Sequence, residues 1–313
     1  MILCVSLNPA VDKRMRLDRL QLQTVNRVRD VRPAPGGKAA HVAMVLKTLG
    51  ADVTWLGFAG GHSGDVLLSG LRDLAIETVA VPTTSQTRTN LEIIDDDGVT
   101  EILEPGAPIT DEEMAHLNRA VRKCLDETKQ ASPVVVLSGS LPQGVPADYY
   151  KKLVDLVHQS RSSAFVDTVG EPFSSALQAK PDFIKPNRDE AKIWSGREVD
   201  SPDAALTVLN EMFIAGAAAG AISLGPGGMI WCAPNEKALL AKVPAVSGRS
   251  AVGSGDSAMA AFAHAAHERM NPADALRLAA ACGAANCLAE LPGRASASEI
   301  ARMKDRVDIE SFN

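Results

Sequence analysis

Gly253-Ser254-Gly255-Asp256-Ser257 opens the apolar run Ala258 to Ala266, and this stretch decides how the rest of the chain is read. A glycine-rich turn that runs into a helix leaves backbone N–H groups pointing outward. With the helix dipole behind them, they form a site for phosphate. A carboxylate repels phosphate, so Asp256 is out of place there unless it is a reactant. As a base it would take the proton from a hydroxyl that attacks the phosphate. The segment therefore suggests a nucleotide-using kinase. A purely structural glycine turn is the plainer alternative. Gly253, Gly255 and Ala258 also fit a dinucleotide fingerprint, but that needs a strand–turn–helix unit with an acid about 20 residues on. Here the distance is filled by a helix rich in Ala and His. No Gly-x-x-x-x-Gly-Lys-Ser/Thr occurs, because Arg32 stands where the first glycine would precede Gly37-Lys38. That excludes a P-loop kinase.

Bulk properties narrow the class. The 313 residues allow one large α/β domain or two smaller ones. Hydrophobic residues at 46% and charged residues at 22% fit a soluble globular protein. A net charge of −6 gives no global field for nucleic acid or an anionic membrane. The five cysteines are scattered and form no Cys-x-x-Cys pair, so they read as thiols in a reducing cytoplasm. The apolar start Met1 to Val5 stops at Asn8-Pro9, too early for a signal peptide, and reads as a buried strand. The Ala-rich stretch Phe213 to Leu224 is too short to span a membrane and is interrupted by Gly216 and Gly220.

Short β-branched runs alternate with longer amphipathic segments. Runs at residues 2–7, 53–58, 134–137, 164–166, 183–184 and 221–224 read as strands. Segments at 38–49, 65–74, 111–125, 149–160, 202–214, 256–269 and 272–288 read as helices. This alternation predicts a mostly parallel sheet covered on both faces. Asp12–Val31 and Arg88–Leu103 break it, alternating apolar and polar residues around a turn at Asp95-Asp96-Asp97-Gly98. They read as antiparallel strands of a small flap outside the main sheet.

Other clusters can carry chemistry. In Lys185-Pro186-Asn187-Arg188-Asp189-Glu190, Asn187 and Glu190 share one face of a helix start. They could hold a hydrated Mg²⁺, or simply form a cap with its capping acid. Ser223 and the glycines Gly225, Gly227 and Gly228 could pass under a nucleotide or make a hairpin. Ser138-Gly139-Ser140-Leu141-Pro142 follows a strand, where open α/β sheets bind ligands. Gly37-Lys38 opens a helix and offers a second anion site. Arg27, Lys38 and Arg88 form a candidate cationic set, and Asp12 could accept bonds from sugar hydroxyls.

Taken in this order, the motifs resemble those of the PfkB carbohydrate kinases, the ribokinase-like family, from Asn8 to about Asn286. Ser6 to Asp12, Val25-Asn26-Arg27, Thr87-Arg88-Thr89-Asn90 and Pro105-Gly106 resemble the branch that acts on sugar phosphates: 1-phosphofructokinase, tagatose-6-phosphate kinase and minor 6-phosphofructokinase. The resemblance implies a three-layer α/β/α sandwich with a mostly parallel sheet. The core would take residues 1–11, 32–87 and 104–313. Residues 12–31 and 88–103 would form a β lid that pairs two chains into a homodimer. Asp256 would be the base, and Gly253, Ser254 and Gly255 the anion hole. Lys185, Asn187, Ser223, Gly225, Gly228 and Asn286 would line the ATP side, with Glu190 and Asn187 holding Mg²⁺ through water. Asp12, Gly37 and Ser138 would touch the sugar, and Arg88 and Lys38 its phosphate, with Arg27 as a further candidate that would reach the phosphate across a dimer of paired lids. The implied reaction is ATP-dependent phosphorylation of a ketohexose phosphate. A kinase of a free sugar or nucleoside, or a non-catalytic sugar-phosphate-binding regulator, stands as the alternative.

The chain departs from the family at Ala39-Ala40-His41, where Gly-x-Asn is usual. The Asn contacts sugar hydroxyls, so His41 is expected beside the sugar, with an even alternative of packing inward. Ala251 and Ser254 also replace a common Thr and Ala.

Overall fold

Neighbouring residues of the first strand belong to opposite cores. Ile2 and Cys4 pack in one and Leu3 and Val5 in the other, all fully buried. Val134 and Val136 are divided from Val135 and Leu137 in the same way. Strands buried on both faces are the mark of a parallel sheet between helices. The protein, seen in a computed structural model, is described for residues 1–128, 133–243, 246, 248 and 250–312.

In chain order the strands are β1 (Ile2–Ser6), β2 (Ala10–Arg16), β3 (Asp30–Gly36), β4 (Val53–Ala59), β5 (Glu77–Pro82), β6 (Arg88–Asp95), β7 (Gly98–Leu103), β8 (Val134–Ser138), β9 (Ser163–Asp167), β10 (Phe183–Ile184), β11 (Gly220–Ser223), β12 (Met229–Cys232), β13 (Ala238–Lys242) and β14 (Asp308–Phe312). The helices are α1 (Lys38–Thr48), α2 (Gly61–Asp73), α3 (Asp111–Glu127), α4 (Tyr149–Gln159), α5 (Glu171–Leu177), α6 (Arg188–Ser195), α7 (Pro202–Ala215), α8 (Ser254–His267), α9 (Pro272–Leu288) and α10 (Ala297–Lys304).

The main sheet has ten strands in the order β14-β13-β12-β11-β10-β9-β8-β1-β4-β5. From β5 across to β11 every pair is parallel. The pairs from β11 to β14 are antiparallel. Helices α1, α2, α8, α9 and α10 fill the core on one face, and α3, α4, α5 and α7 the core on the other. This is the mostly parallel sheet covered on both faces that the alternation predicts, and the three-layer α/β/α sandwich that the resemblance implies. Among the described residues, no helix is long and apolar enough to cross a membrane.

A separate four-stranded sheet runs β3-β2-β6-β7. Its pairing differs from the antiparallel expectation at the centre. β2 and β6 run parallel, from Ala10 opposite Arg88 to Arg16 opposite Ile94. The main sheet explains this. β1 feeds β2 and β5 feeds β6, and β1, β4 and β5 all point the same way. Both chains therefore leave the same sheet edge in one direction. Each then turns back as a hairpin, β2 with β3 and β6 with β7. In the second hairpin, Asp95 Oδ1 accepts the Asp97 and Gly98 N–H groups.

Candidate active site

Gly253 caps α8 in the left-handed region, with φ 81 and no side-chain cap. A Cβ there would come within 2.8 Å of Pro292 Cβ, so conformation and space both call for glycine. The Ser254 N–H is taken by the Ala251 carbonyl, and the Ser257 N–H by Gly253. The N–H groups of Gly255 and Asp256 have no acceptor within the helix, and the dipole favours an anion in front of them. Lys185 adds a cation there. Its side chain is 2% exposed, and a Cβ on Gly255 would sit 3.3 Å from its Nζ. Asp256 lies in the first turn of α8 and is buried. An anion hole, an ammonium and a carboxylate thus meet at one helix end. Asn286 stands behind it, donating to the Val252 carbonyl and Ser254 Oγ while accepting the Gly293 N–H. It braces the loop that enters the hole.

His41 takes the second of its two expected places, packed inward against protein groups. Its Nδ1 donates to Asp256 Oδ2 at 2.8 Å and its Nε2 to Asp12 Oδ2 at 2.9 Å. The residue is 5% exposed. Both ring nitrogens are committed to carboxylates, so neither is left for a sugar hydroxyl. Burial pushes the imidazole toward neutrality, but the hydrogen bonds and charges of Asp12 and Asp256 outweigh it and raise it from 6.5 to about 10. Asp12 in turn takes the Asn90 amide on Oδ1 at 2.8 Å. Burial alone would raise the Asp12 carboxyl, but His41, Asn90 and Arg88 hold it below the usual range.

A second charged group centres on Asp167, which no sequence motif singles out. It ends β9 and is buried, with Lys38 Nζ 2.7 Å from Oδ1 and Lys185 Nζ 3.7 Å from Oδ2. Oδ2 has no hydrogen-bond partner. Lys38 also meets Glu190 Oε1 at 3.0 Å. Burial opposes the charge on Lys38, yet Asp167 and Glu190 drive its pKa well up. Within one chain the candidate cations Arg27, Lys38 and Arg88 stand apart: Lys38 turns to the α6 side, and Arg27 lies exposed on the loop between β2 and β3. At α6, Asn187 Oδ1 accepts the Asp189 and Glu190 N–H groups, and Glu190 Oε2 accepts the Asn187 N–H. This is a complete capping box. The Asn187 amide oxygen is thereby engaged by the helix, while Glu190 places one carboxylate oxygen on the Asn187 N–H and the other on Lys38. Ser223 is bridged to Asn187. Gly225 follows at φ 61, and a Cβ there would have nothing within 4 Å, whereas Gly228 is pressed against the Ala241 carbonyl.

Arg88 closes the other side. Its guanidinium donates to two backbone carbonyls, Asn8 at 3.0 Å and Glu104 at 2.9 Å. Carbonyls orient it without neutralising its charge, and its buried Nε has no partner. Nearby, Asn8 Nδ2 donates to Ser140 Oγ at 3.0 Å. Ser138 Oγ, at the end of β8, is buried without a partner, and Gly139 beside it borders open space. Unpartnered polar atoms at the carboxyl ends of parallel strands mark a ligand position. The Asp12 carboxyl lies against Gly36, where a Cβ would come within 2.2 Å, and Gly37 adopts φ 85 at the entry to α1.

A site of this composition on such a sheet is that of a phosphotransferase acting on a hydroxyl. Residues 5–298 match the pfkB family carbohydrate kinase pattern, and the chain belongs to that family of ATP-dependent sugar kinases with the ribokinase-like fold. It is similar to phosphofructokinase-2 from Escherichia coli in complex with fructose-6-phosphate, with 26% identity, a TM-score of 0.88, and 97% of this chain and 98% of that one covered. A candidate phosphofructokinase from Staphylococcus aureus shares 29% identity over 100% of this chain and 99% of that one, with a TM-score of 0.84. A candidate 1-phosphofructokinase from Thermotoga maritima has the same fold, with 23% identity, 100% and 99% covered, and a TM-score of 0.88.

Proposed function

We propose that this protein transfers the γ-phosphoryl group of ATP to a hydroxyl of a ketohexose phosphate. Asp256 takes the hydroxyl proton. The turn Gly253-Ser254-Gly255, through the free N–H groups of Gly255 and Asp256 and with Lys185 beside them, receives the charge that develops on the transferring group. The Ser254 N–H, expected in this role, is spent on Ala251. The observation that carries the acceptor class is Arg88. A guanidinium held by two carbonyls keeps its positive charge for a ligand, and a neutral sugar would not need it. Asp12, Gly37 and Ser138 hold the sugar.

Ser223 and the open backbone at Gly225 receive the nucleotide, with Lys185 and Lys38 beside its phosphates. Mg²⁺, which keeps most of its waters and takes oxygen donors, fits the Glu190 carboxylate. When bound it would neutralise phosphate charge. A homodimer through the small sheet is part of this reading, supported by the exposed apolar residues Leu22, Val25, Ile102 and Leu103 on that sheet and its loop. Five free cysteines fit a cytoplasmic location.

The test is an ATP-coupled assay over fructose 1-phosphate, fructose 6-phosphate, tagatose 6-phosphate and free sugars. The reading expects kcat/KM for one phosphorylated ketohexose to exceed that of every free sugar. Preference for a free sugar or nucleoside would replace it with the alternative kinase, and no turnover with any acceptor would leave a binding protein.

A further inference from the structure

We propose that His41 is a positioning residue that ties the sugar-holding carboxylate of Asp12 to the base Asp256, so that occupation of the sugar site sets the base. The inference rests on Asp256 being the base. The geometry carries the coupling. A carboxylate can only accept a hydrogen bond, so two bonds from one ring to two carboxylates require a proton on both nitrogens. A neutral imidazole has one N–H and would leave its lone pair facing the other carboxylate. The ring is therefore a cation between two anions.

Each part of the bridge is held. His41 sits on α1 between the fully buried Ala40 and Val42. Its backbone is packed against Gly293, where an added Cβ would be 3.1 Å from both the His41 Cα and carbonyl oxygen. Asp12 is fixed on β2 by Asn90 from β6 and by the close backbone of Gly36. Asp256 has Oδ2 committed to His41, which leaves Oδ1 to meet the acceptor hydroxyl. A hydroxyl that draws on Asp12 therefore pulls on the imidazolium, which pulls on the base.

The charged surroundings agree with a protonated ring. Asp12 on β2 and Asp256 on α8 raise its pKa against burial. Glu101 on β7 interacts with it through space. Of the nearby cations, Arg88 acts on Asp12, and Lys38 acts on Asp256. An amide, the family's usual group here, is neutral and can donate only from one nitrogen, so it cannot hold both carboxylates in this way.

The experiment is a kinetic double-mutant cycle with Asp12→Asn and His41→Asn, joined to a ring ¹⁵N titration of the wild-type enzyme. With His41 present, Asp12→Asn should lower kcat about tenfold as well as raise KM. In the His41→Asn background it should raise KM while lowering kcat by less than about twofold. The His41 ring signal, assigned by its loss in His41→Asn, should show both nitrogens protonated at pH 8. The same kcat loss from Asp12→Asn in both backgrounds would overturn the coupling. So would a neutral ring at pH 8, a result that does not depend on the variants folding. Failure of the kinase reading looks different: the wild type would turn over no acceptor, whatever the ring titration showed.

Discussion

Arg88 and His41 show how one side chain's partners decide its work. Arg88 spends its hydrogen bonds on the carbonyls of Asn8 and Glu104 and keeps its charge. Arg88→Ala should therefore raise KM for a sugar phosphate about tenfold or more, the scale of a charge-assisted phosphate contact. KM for ATP should stay near wild type, and initial-rate kinetics with each substrate varied in turn checks this. His41 makes fold stability depend on pH. Its folded pKa of about 10 lies above the ordinary 6.5, so folding binds a proton. The stabilisation is complete below about pH 6.5 and is lost as pH rises through about 10. The Tm difference between wild type and His41→Asn should be widest near pH 6 and narrow toward pH 11, by differential scanning fluorimetry. A difference that stays constant with pH would mean the ring is neutral. Asp12 and Asp256 are each legible as site residues, but their contacts with His41 are not: Asp12 is 29 residues away from it and Asp256 is 215. Asp167 escapes notice for a related reason. A single acid closing the apolar strand Ser163–Asp167 has no local pattern, and only the fold brings two lysines to it.

At the scale of elements, the helix starts are the readable part. Gly253 to Asp256 and Asn187 to Glu190 are local patterns, because a helix start satisfies or exposes its N–H groups within one turn. What the pattern leaves open at α6 is whether Asn187 serves the helix or a metal. The complete capping box gives it to the helix. Asn187→Ala should cost about 1 kcal/mol of stability by urea unfolding, the usual value of a polar N-cap. If instead the Mg²⁺ needed for half-maximal turnover rose about tenfold, the size of effect seen for groups that support metal binding, Asn187 would return to the metal site. Strands β13 and β14 are not legible. Ala238-Leu239-Leu240-Ala241-Lys242 has no alternation, and Asp308–Phe312 is a largely exposed edge segment. Pairing with each other makes them strands, not their composition.

Across the whole molecule, the small sheet is joined to the catalytic end of the large one through a buried ion pair. Arg14 on β2 and Glu92 on β6 form a bidentate contact at 2.7 and 2.6 Å, both nearly inaccessible. Glu92 also accepts from Ser250, just ahead of the anion hole, and Arg14 donates to the Glu290 carbonyl beyond α9. The parallel β2–β6 pairing makes this pair of neighbours, and an antiparallel reading of the flap could not foresee it. Glu92→Ala would leave Arg14 buried without its counter-charge and should cost about 3–5 kcal/mol by urea unfolding. A loss below about 1 kcal/mol, as for an exposed pair, would contradict that role. At the centre of the proposed mechanism stands Asp256, read as the base at the first turn of α8. The direct measurement is the steady-state kinetics of Asp256→Asn with ATP and the best acceptor. We expect kcat to fall by about 10²–10⁴ with KM for ATP little changed, and a variant that turns over at the wild-type rate would contradict the mechanism.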